Sequence, residues 1–545
     1  MDQVIAQGLT PGAPLEPGQM SLFIYVVGIL AVVLLIWDTL EVGRNDAANI
    51  VNSVFGSRIL SRENAVRVAA VGVILGAGLS SEVIETARKG IFDPSQFTIQ
   101  QALAIYTSVY IVDTILLYSY SAFGMPVSTT LTLVFALLGA SFFLGALEAD
   151  AGLGVVRWSN AGRVLAGIVC SIVLSGIMGF IIQRVVRGAI RDRWSSLPTI
   201  LMFGGVIGGG LLAGLSYFML VKGMKSVAVV QSLKAQIDAI PYVGPIFALL
   251  ALWVVFGILI HVALIVFRRR AAELLFPLVT VIGMVCMAFA FGQNDLANCA
   301  SPGLAILGAI DLHRQHQTMA DIVEADVPRL ALFGCGAILV LGMMTRNAQR
   351  VTRAEVSAGS QGSHVRLWAP RWCIALASVL LRKRRRSIEP MPSLAPTIVK
   401  DSRGKTMHYD PLRASVIICV SASVIATASS LKLPVSTTYV AFAAVVATGM
   451  ADRIFVRGDA ALKLGRSIWV VFSWFAAAVM ASVGGGLVCL AVYYFGVWGM
   501  AACLAVNLLI RGYVKRRSDT QEIRVREEAR ERMHPEEFAL EDEGM

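Results

Sequence analysis

The chain has 545 residues, 56% of them hydrophobic and only 15% charged, with a mean hydropathy of +0.70. So apolar a composition excludes a soluble two- or three-domain protein. The net charge of +11 would suit a nucleic-acid binder, but the basic residues gather in a few stretches between apolar runs, the positive-inside pattern of a membrane protein, so no nucleic-acid partner is expected.

Residues 1–20 lack a basic n-region, so the apolar run that follows them reads as a first membrane helix and not as a cleaved signal peptide. Apolar runs at 21–40, 64–82, 102–122, 126–147, 162–184, 200–221, 246–267, 272–291, 328–345, 412–431, 434–452, 466–495 and 497–511 predict twelve or thirteen helices. Most approach the ~20 residues that cross a bilayer, whereas 497–511 is short and leaves a span, a re-entrant piece and an interfacial helix all open. Three basic stretches, Arg184 to Arg193, Arg268 to Arg270 and the segment holding Arg382 to Arg386, are placed in the cytoplasm. That placement predicts a bacterial inner-membrane protein whose helix at 21–40 runs inward and whose helix at 272–291 runs outward. Residues 346–411, rich in Ser, Gly, Pro and basic residues, read as a poorly ordered loop, and the tail from Arg511 as a short helix or disordered.

The eight cysteines stand singly with no CxxC, and His261, His313 and His316 form no metal set, so packing residues and a solvated loop are expected. Just past a membrane run, Glu85, Arg88 and Lys89 read as a solvated helix end. No nucleophile and base or metal cluster stands at a workable spacing, which argues against an enzyme.

Two pairs of motifs repeat in order: GRNDAAN at 43–49 returns as GQNDLAN at 292–298, and PVSTT at 126–130 returns unchanged at 434–438. A weaker pair follows each hydroxyl motif, WSNAGR at 158–163 and KLGRSIW at 463–469. With the first helices of the two halves running in opposite directions, the chain reads as an all-α integral membrane protein of about twelve transmembrane helices in two inverted repeats, with interrupted helices at the midplane. The expected division is an extramembrane segment at 1–20, a first repeat at 21–187, linking helices at 188–271, a second repeat at 272–495 containing the basic loop 346–411, and a last hydrophobic segment with a charged tail at 496–545.

Gly43 is expected to break or bend its helix and so to open the stretch carrying Asn45, Asp46 and Asn49. A carboxylate inside a membrane is costly, so Asp46 and Asp295 are functional candidates, as cation ligand, proton acceptor or anchor for a substrate's donors. Asn45, Asn49, Asn294 and Asn298 add carbonyl acceptors and amide donors, enough to coordinate a cation beside an oxyanion. A pair of helix caps would use the same residue types. In the hydroxyl motifs the proline suits a first helical turn, which would set Ser128, Thr129, Thr130, Ser436, Thr437 and Thr438 among unpaired amide donors at a positive helix end, an anion site. The alternative is that these hydroxyls bond the preceding turn or mediate close helix packing.

On these four motifs the chain resembles the inorganic phosphate transporter (PiT) family, with ETARKGI at 85–91 and WSNAGR in the expected order. The resemblance implies symport of inorganic phosphate coupled to sodium or protons, no cofactor, a homodimer in membrane lipid, and substrate and cation sites lined by the residues just named. A sulfate or other tetrahedral oxyanion permease is the alternative within the same fold. Arg44, Gln293 and Tyr439 depart from the family pattern, and the stretches around Ile418 and from Val68 to Leu79 lack an acidic residue common in relatives.

Overall fold

Long apolar runs need backbones whose hydrogen bonds close within the segment, and this chain is built almost wholly from helices. The computed structural model describes residues 17–80, 91–148, 152–224, 228–240, 243–315, 329–362, 364–387, 399–400, 406–431, 433, 435–456 and 458–532. Glu85, Arg88, Lys89, His316 and Pro434 therefore lie outside the described residues. In chain order the helices are α1 (Pro17–Gly56), α2 (Arg62–Ala77), α3 (Ile99–Ala122), α4 (Thr129–Glu148), α5 (Trp158–Ile190), α6 (Leu197–Ser216) and α7 (Ala228–Asp238). They continue with α8 (Gly244–Arg314), α9 (Arg329–Met343), α10 (Arg346–Ala358), α11 (Arg371–Ser387), α12 (Pro411–Ser430), α13 (Thr437–Ala451) and α14 (Ala460–Arg532). A two-residue strand pair, Val399–Lys400 with Thr406–Met407, lies between α11 and α12.

Among the described residues eight helices are long and apolar enough to cross a membrane, and α9 with α10, bent by 69°, makes a ninth if the two form one span. Two of the eight cannot be single crossings. α8 and α14 have 71 and 73 residues, roughly 100 Å of helix at ~1.5 Å per residue, against a hydrocarbon core of ~30 Å. Each turns sharply where the backbone leaves the helical region, α8 at Arg268 (φ 43°) and α14 at Gly496 (φ 54°). The runs at 246–267 and 272–291 thus sit on one bent helix, and 497–511 continues α14 past its bend. Positive φ suits Gly496 and strains Arg268.

The packing repeats when the halves are exchanged. With α1, α2, α3, α4 and α5 matched to α8, α9, α12, α13 and α14, the contact of α1 with α9 is mirrored by that of α8 with α2. Likewise α14 packs on α4 as α5 packs on α13.

Three expectations give way here. The Asn-Asp motifs do not sit at helix interruptions or caps: α1 and α8 run straight through them. The motif glycines serve close approach instead, since a Cβ on Gly43 would fall 2.0 Å from the Leu339 carbonyl oxygen of α9, and one on Gly292 would fall 2.2 Å from that of Val73 in α2. Nor is Pro126 a first-turn proline, because α4 begins only at Thr129 and Ser128 acts as the cap, its Oγ accepting from the Leu131 amide at 3.0 Å. The described part of the stretch read as a loop is not irregular either, for 346–387 supplies α10 and α11, and α10 is strongly amphipathic, with Ala348, Val351, Glu355 and Val356 buried against the membrane helices.

Candidate functional site

The four motifs meet in one place. Asn45, Asp46, Asn49, Ser128, Thr129, Thr130, Asn294, Asp295, Asn298, Ser436, Thr437 and Thr438 are all at most 1% exposed, so this site is closed to solvent. Each asparagine-aspartate motif grips the hydroxyl loop of its own half. Asn45 Nδ2 donates to the Val127 carbonyl at 2.6 Å, and Asn294 Nδ2 to the Val435 carbonyl at 2.8 Å, while the Val127 and Val435 amides return to Asn45 Oδ1 and Asn294 Oδ1, both at 3.4 Å.

The second contact in each motif crosses to the other half. Asn49 Nδ2 donates to Thr438 Oγ1 at 3.0 Å and Thr437 Oγ1 at 3.5 Å; Asn298 Nδ2 donates to Thr130 Oγ1 at 2.9 Å and Thr129 Oγ1 at 3.0 Å. Thr438 Oγ1 reaches Asp46 Oδ1 at 2.7 Å, and Thr129 Oγ1 reaches Asp295 Oδ1 at 3.1 Å. In this conformation the hydroxyls of Thr438 and Thr129 are committed to the carboxylate of the opposite half, and that of Thr130 to the Val435 carbonyl at 2.9 Å. Ser128 and Ser436 both cap their helices, Ser436 Oγ accepting from the Tyr439 amide at 3.1 Å. The sequence reading placed all six hydroxyls together, and all six are here, but the serines face their own helix starts.

Both aspartates are one-sided. Asp46 Oδ1 accepts from Asn45, Asn49 and Thr438, and Asp295 Oδ1 accepts from Asn294, Asn298 and Thr129. The other carboxylate oxygen of each has no donor among the described residues, and the same holds for Asn49 Oδ1 and Asn298 Oδ1. No basic side chain forms an ion pair with either aspartate among the described residues. Buried oxygens without donors are costly, and carboxylate and amide oxygens are the donor types that suit a hard monovalent cation or, for the carboxylates, a proton.

Comparison with known proteins identifies the family of the chain. A model of the phosphate transporter family matches residues 42–354 and 394–485. The chain belongs to that family. It is accordingly a multi-pass membrane protein of phosphate transport and not an enzyme. A protein named as a phosphate permease from Pyrococcus horikoshii is 24% identical over 468 residues, covering 84% of this chain and 96% of the relative. One of the same name from Chlamydia trachomatis is 25% identical over 458 residues, covering 80% and 91%. Among solved structures, one titled the sodium-dependent phosphate transporter matches with a TM-score of 0.58 at 20% identity, covering 86% of this chain and 98% of its own, which establishes a shared fold.

Against the family pattern, the departures fall at the edge of the site. The Arg44 guanidinium is held by Glu41 Oε2 at 2.7 Å and Thr345 Oγ1 at 3.3 Å, and Gln293 donates to the Leu79 carbonyl at 3.4 Å. Tyr439 stacks on Trp474 with ring centroids 3.7 Å apart. Sequence reasoning missed a surrounding ring of acids. Asp38 in α1 and Asp113 in α3 are fully buried and within electrostatic reach of each other, and Asp113 also of Asp46. Glu355, from the stretch read as a loop, accepts from Asn52 Nδ2 at 2.7 Å. The available signals were a lone carboxylate in the apolar run 102–122 and the spacing Asp46, Asn49, Asn52, three residues apart along one helical face.

Proposed function

We propose that the chain is a secondary active symporter that carries inorganic phosphate together with sodium or protons, by alternating access, across the bacterial inner membrane. The observation that carries this reading is the pair of one-sided aspartates, each accepting through one oxygen from two asparagine amides and a threonine hydroxyl of the other half while its second oxygen has no donor among the described residues. Asp46 and Asp295, with Asn45, Asn49, Asn294 and Asn298, take the coupling cation. Ser128, Thr129, Thr130, Ser436, Thr437 and Thr438, with the two aspartates accepting from a protonated oxygen of the anion, take phosphate. Loading the cation draws carboxylate charge away from the threonines, and their hydroxyls turn from the aspartates to the anion, so that the cation and the anion enter as a unit. The exchange of contacts between matched helices supports two inverted halves, about twelve crossings once the bends in α8 and α14 are counted, and alternating movement of one half against the other. The repeats at 21–187 and 272–495, cytoplasmic basic loops and a homodimeric assembly complete this reading.

The test is uptake of radiolabelled phosphate into proteoliposomes at fixed pH, with choline in place of sodium in one arm and excess sulfate in another. Uptake that survives sulfate and needs a gradient of sodium or protons is expected. Sulfate uptake indifferent to excess phosphate would overturn the choice of phosphate and favour a sulfate permease.

A further inference from the structure

Beside the central site the chain buries three more acids and treats them unequally. Asp38 and Glu41 stand one turn apart on α1, and Asp113 stands on α3, which packs against α1. Glu41 is well provided for. Its carboxylate accepts from Arg44 Nη1 at 2.7 and 2.8 Å, from Trp37 Nε1 at 3.3 Å and from Arg511. Arg511 also lies over the rings of Tyr118 and Trp37, 4.0 and 4.8 Å from their centroids, and donates at 3.1 Å to the carbonyl of Thr114, the residue after Asp113. Two guanidiniums therefore reach this neighbourhood, and both are committed to Glu41.

The aspartates receive neither. Asp38 is 0% exposed, and among the described residues no donor reaches either of its oxygens. Asp113 Oδ1 has no donor either, and the hydroxyl beside Asp113, that of Thr132 on α4, donates to the Thr129 carbonyl at 3.0 Å and so is left to accept. The other titratable groups near the pair bring no positive charge. They are Asp46 on α1, Tyr110 on α3, and the thiols of Cys299 on α8 and Cys335 on α9; the Tyr110 hydroxyl donates to the Cys299 carbonyl at 2.6 Å and accepts from the Gly303 amide at 2.7 Å. A dry interior does not hold neighbouring carboxylates without a cation, and the smallest cation that answers is a proton on one of them. Among the described residues no group of three or more acidic, cysteine or histidine side chains is set to hold a metal ion, whereas a proton needs only one carboxylate oxygen.

We propose that Asp38 and Asp113 form a proton-carrying site beside the four-motif centre, which takes up one proton and exchanges it with Asp46 during transport. This rests on the phosphate symport proposed above and names its coupling ion as the proton. Asp38 stands eight residues before Asp46 on the unbroken α1, roughly 12 Å away at ~1.5 Å per residue, too far for direct transfer. Asp113, within electrostatic reach of both, is the step between them. At each step the proton leaves a carboxyl oxygen of one aspartate for a carboxylate oxygen of the next, so the number of charges in the row is unchanged until the proton is released. The Arg44–Glu41–Arg511 cluster closes one end of the row and keeps Glu41 charged and out of the exchange.

The test uses the full-length chain and two readouts. In proteoliposomes, a gradient of about one pH unit should raise accumulation of radiolabelled phosphate about tenfold for each coupled proton, and Asp38→Asn should lose one such factor. In nanodiscs at neutral pH, the infrared spectrum of the wild type minus that of the double variant Asp38→Asn, Asp113→Asn should contain the carbonyl band of a protonated carboxylic acid. Should Asp38→Asn fold poorly, Asp113→Asn is expected to lose the same factor, and Asp38→Glu, which keeps an acid there, to retain it. The proposal is overturned, with phosphate transport left standing, if accumulation follows a sodium gradient and ignores the pH gradient, or if folded Asp38→Asn responds to the pH gradient as the wild type does. A difference spectrum that holds carboxylate bands alone would overturn it as well. The acid band in a chain that carries no phosphate would uphold the proton site and overturn the transport reading alone.

Discussion

Two buried clusters of carboxylates in this molecule are built in opposite ways. In the first, Asp410 and Asp452 surround Arg187, with Arg187 Nη2 2.6 Å from Asp410 Oδ2 and 2.9 Å from Asp452 Oδ2, all three side chains fully buried. Gln183 and Gln361 add donors to the same oxygens, and neighbouring Arg413 donates to Thr448 and to the carbonyls of Gly359 and Val445. Charge and hydrogen bonds are matched there, which suits a clasp that pins α5, α12, α13 and the segment after α10. At the centre, Asp46 and Asp295 have no basic partner among the described residues and keep one oxygen apiece without a donor. A carboxylate left so in a dry interior weakens the fold, and its presence in both halves points to a partner that comes and goes. Under the proposed function, the difference separates stability from transport.

The comparison breaks most visibly at the aspartates. Asp46→Asn and Asp295→Asn should each lower phosphate uptake at least ~100-fold, about 2.7 kcal/mol, while the melting temperature in detergent holds or rises, because a buried charge without a partner is removed. Vesicle uptake and thermal melting check this together, and normal uptake by both variants would falsify the assigned role. The matched cluster should respond the other way. Asp452→Asn leaves Arg187 with less counter-charge and should cost about 3–5 kcal/mol of stability, seen as a large fall in melting temperature and in yield of folded protein. A smaller effect sharpens the boundary between the two. Glu355 accepts from Asn52 through one oxygen and leaves the other without a donor, so it belongs with the central aspartates. Glu355→Gln should lower uptake about tenfold, the scale of one hydrogen bond to a charged group, and leave melting unchanged; a fall in stability with normal uptake would move Glu355 to the structural class.

The twelve site residues were legible because they repeat, and recurrence in order needs no knowledge of the fold. Glu355 was not, because its helix is polar in sequence and buries one face only through packing on α1, α3 and α14. Arg187 was hidden for the converse reason. A basic residue near others at the end of an apolar run reads as a loop charge, yet it lies inside α5 and is paired with aspartates more than two hundred residues away in sequence.

By itself the sequence determined that the chain is a membrane protein and that two motifs recur in order, which singled out Asp46, Asp295 and the six hydroxyls, since hydropathy, order and residue type are local properties. Only the tertiary structure decided that the Asn-Asp motifs lie on unbroken helices with Gly43 and Gly292 as points of close approach, and that each half lends one threonine to the other's aspartate. Which buried carboxylates meet a guanidinium and which meet none was also decided there, because whether a charge is matched depends on what distant segments bring to it.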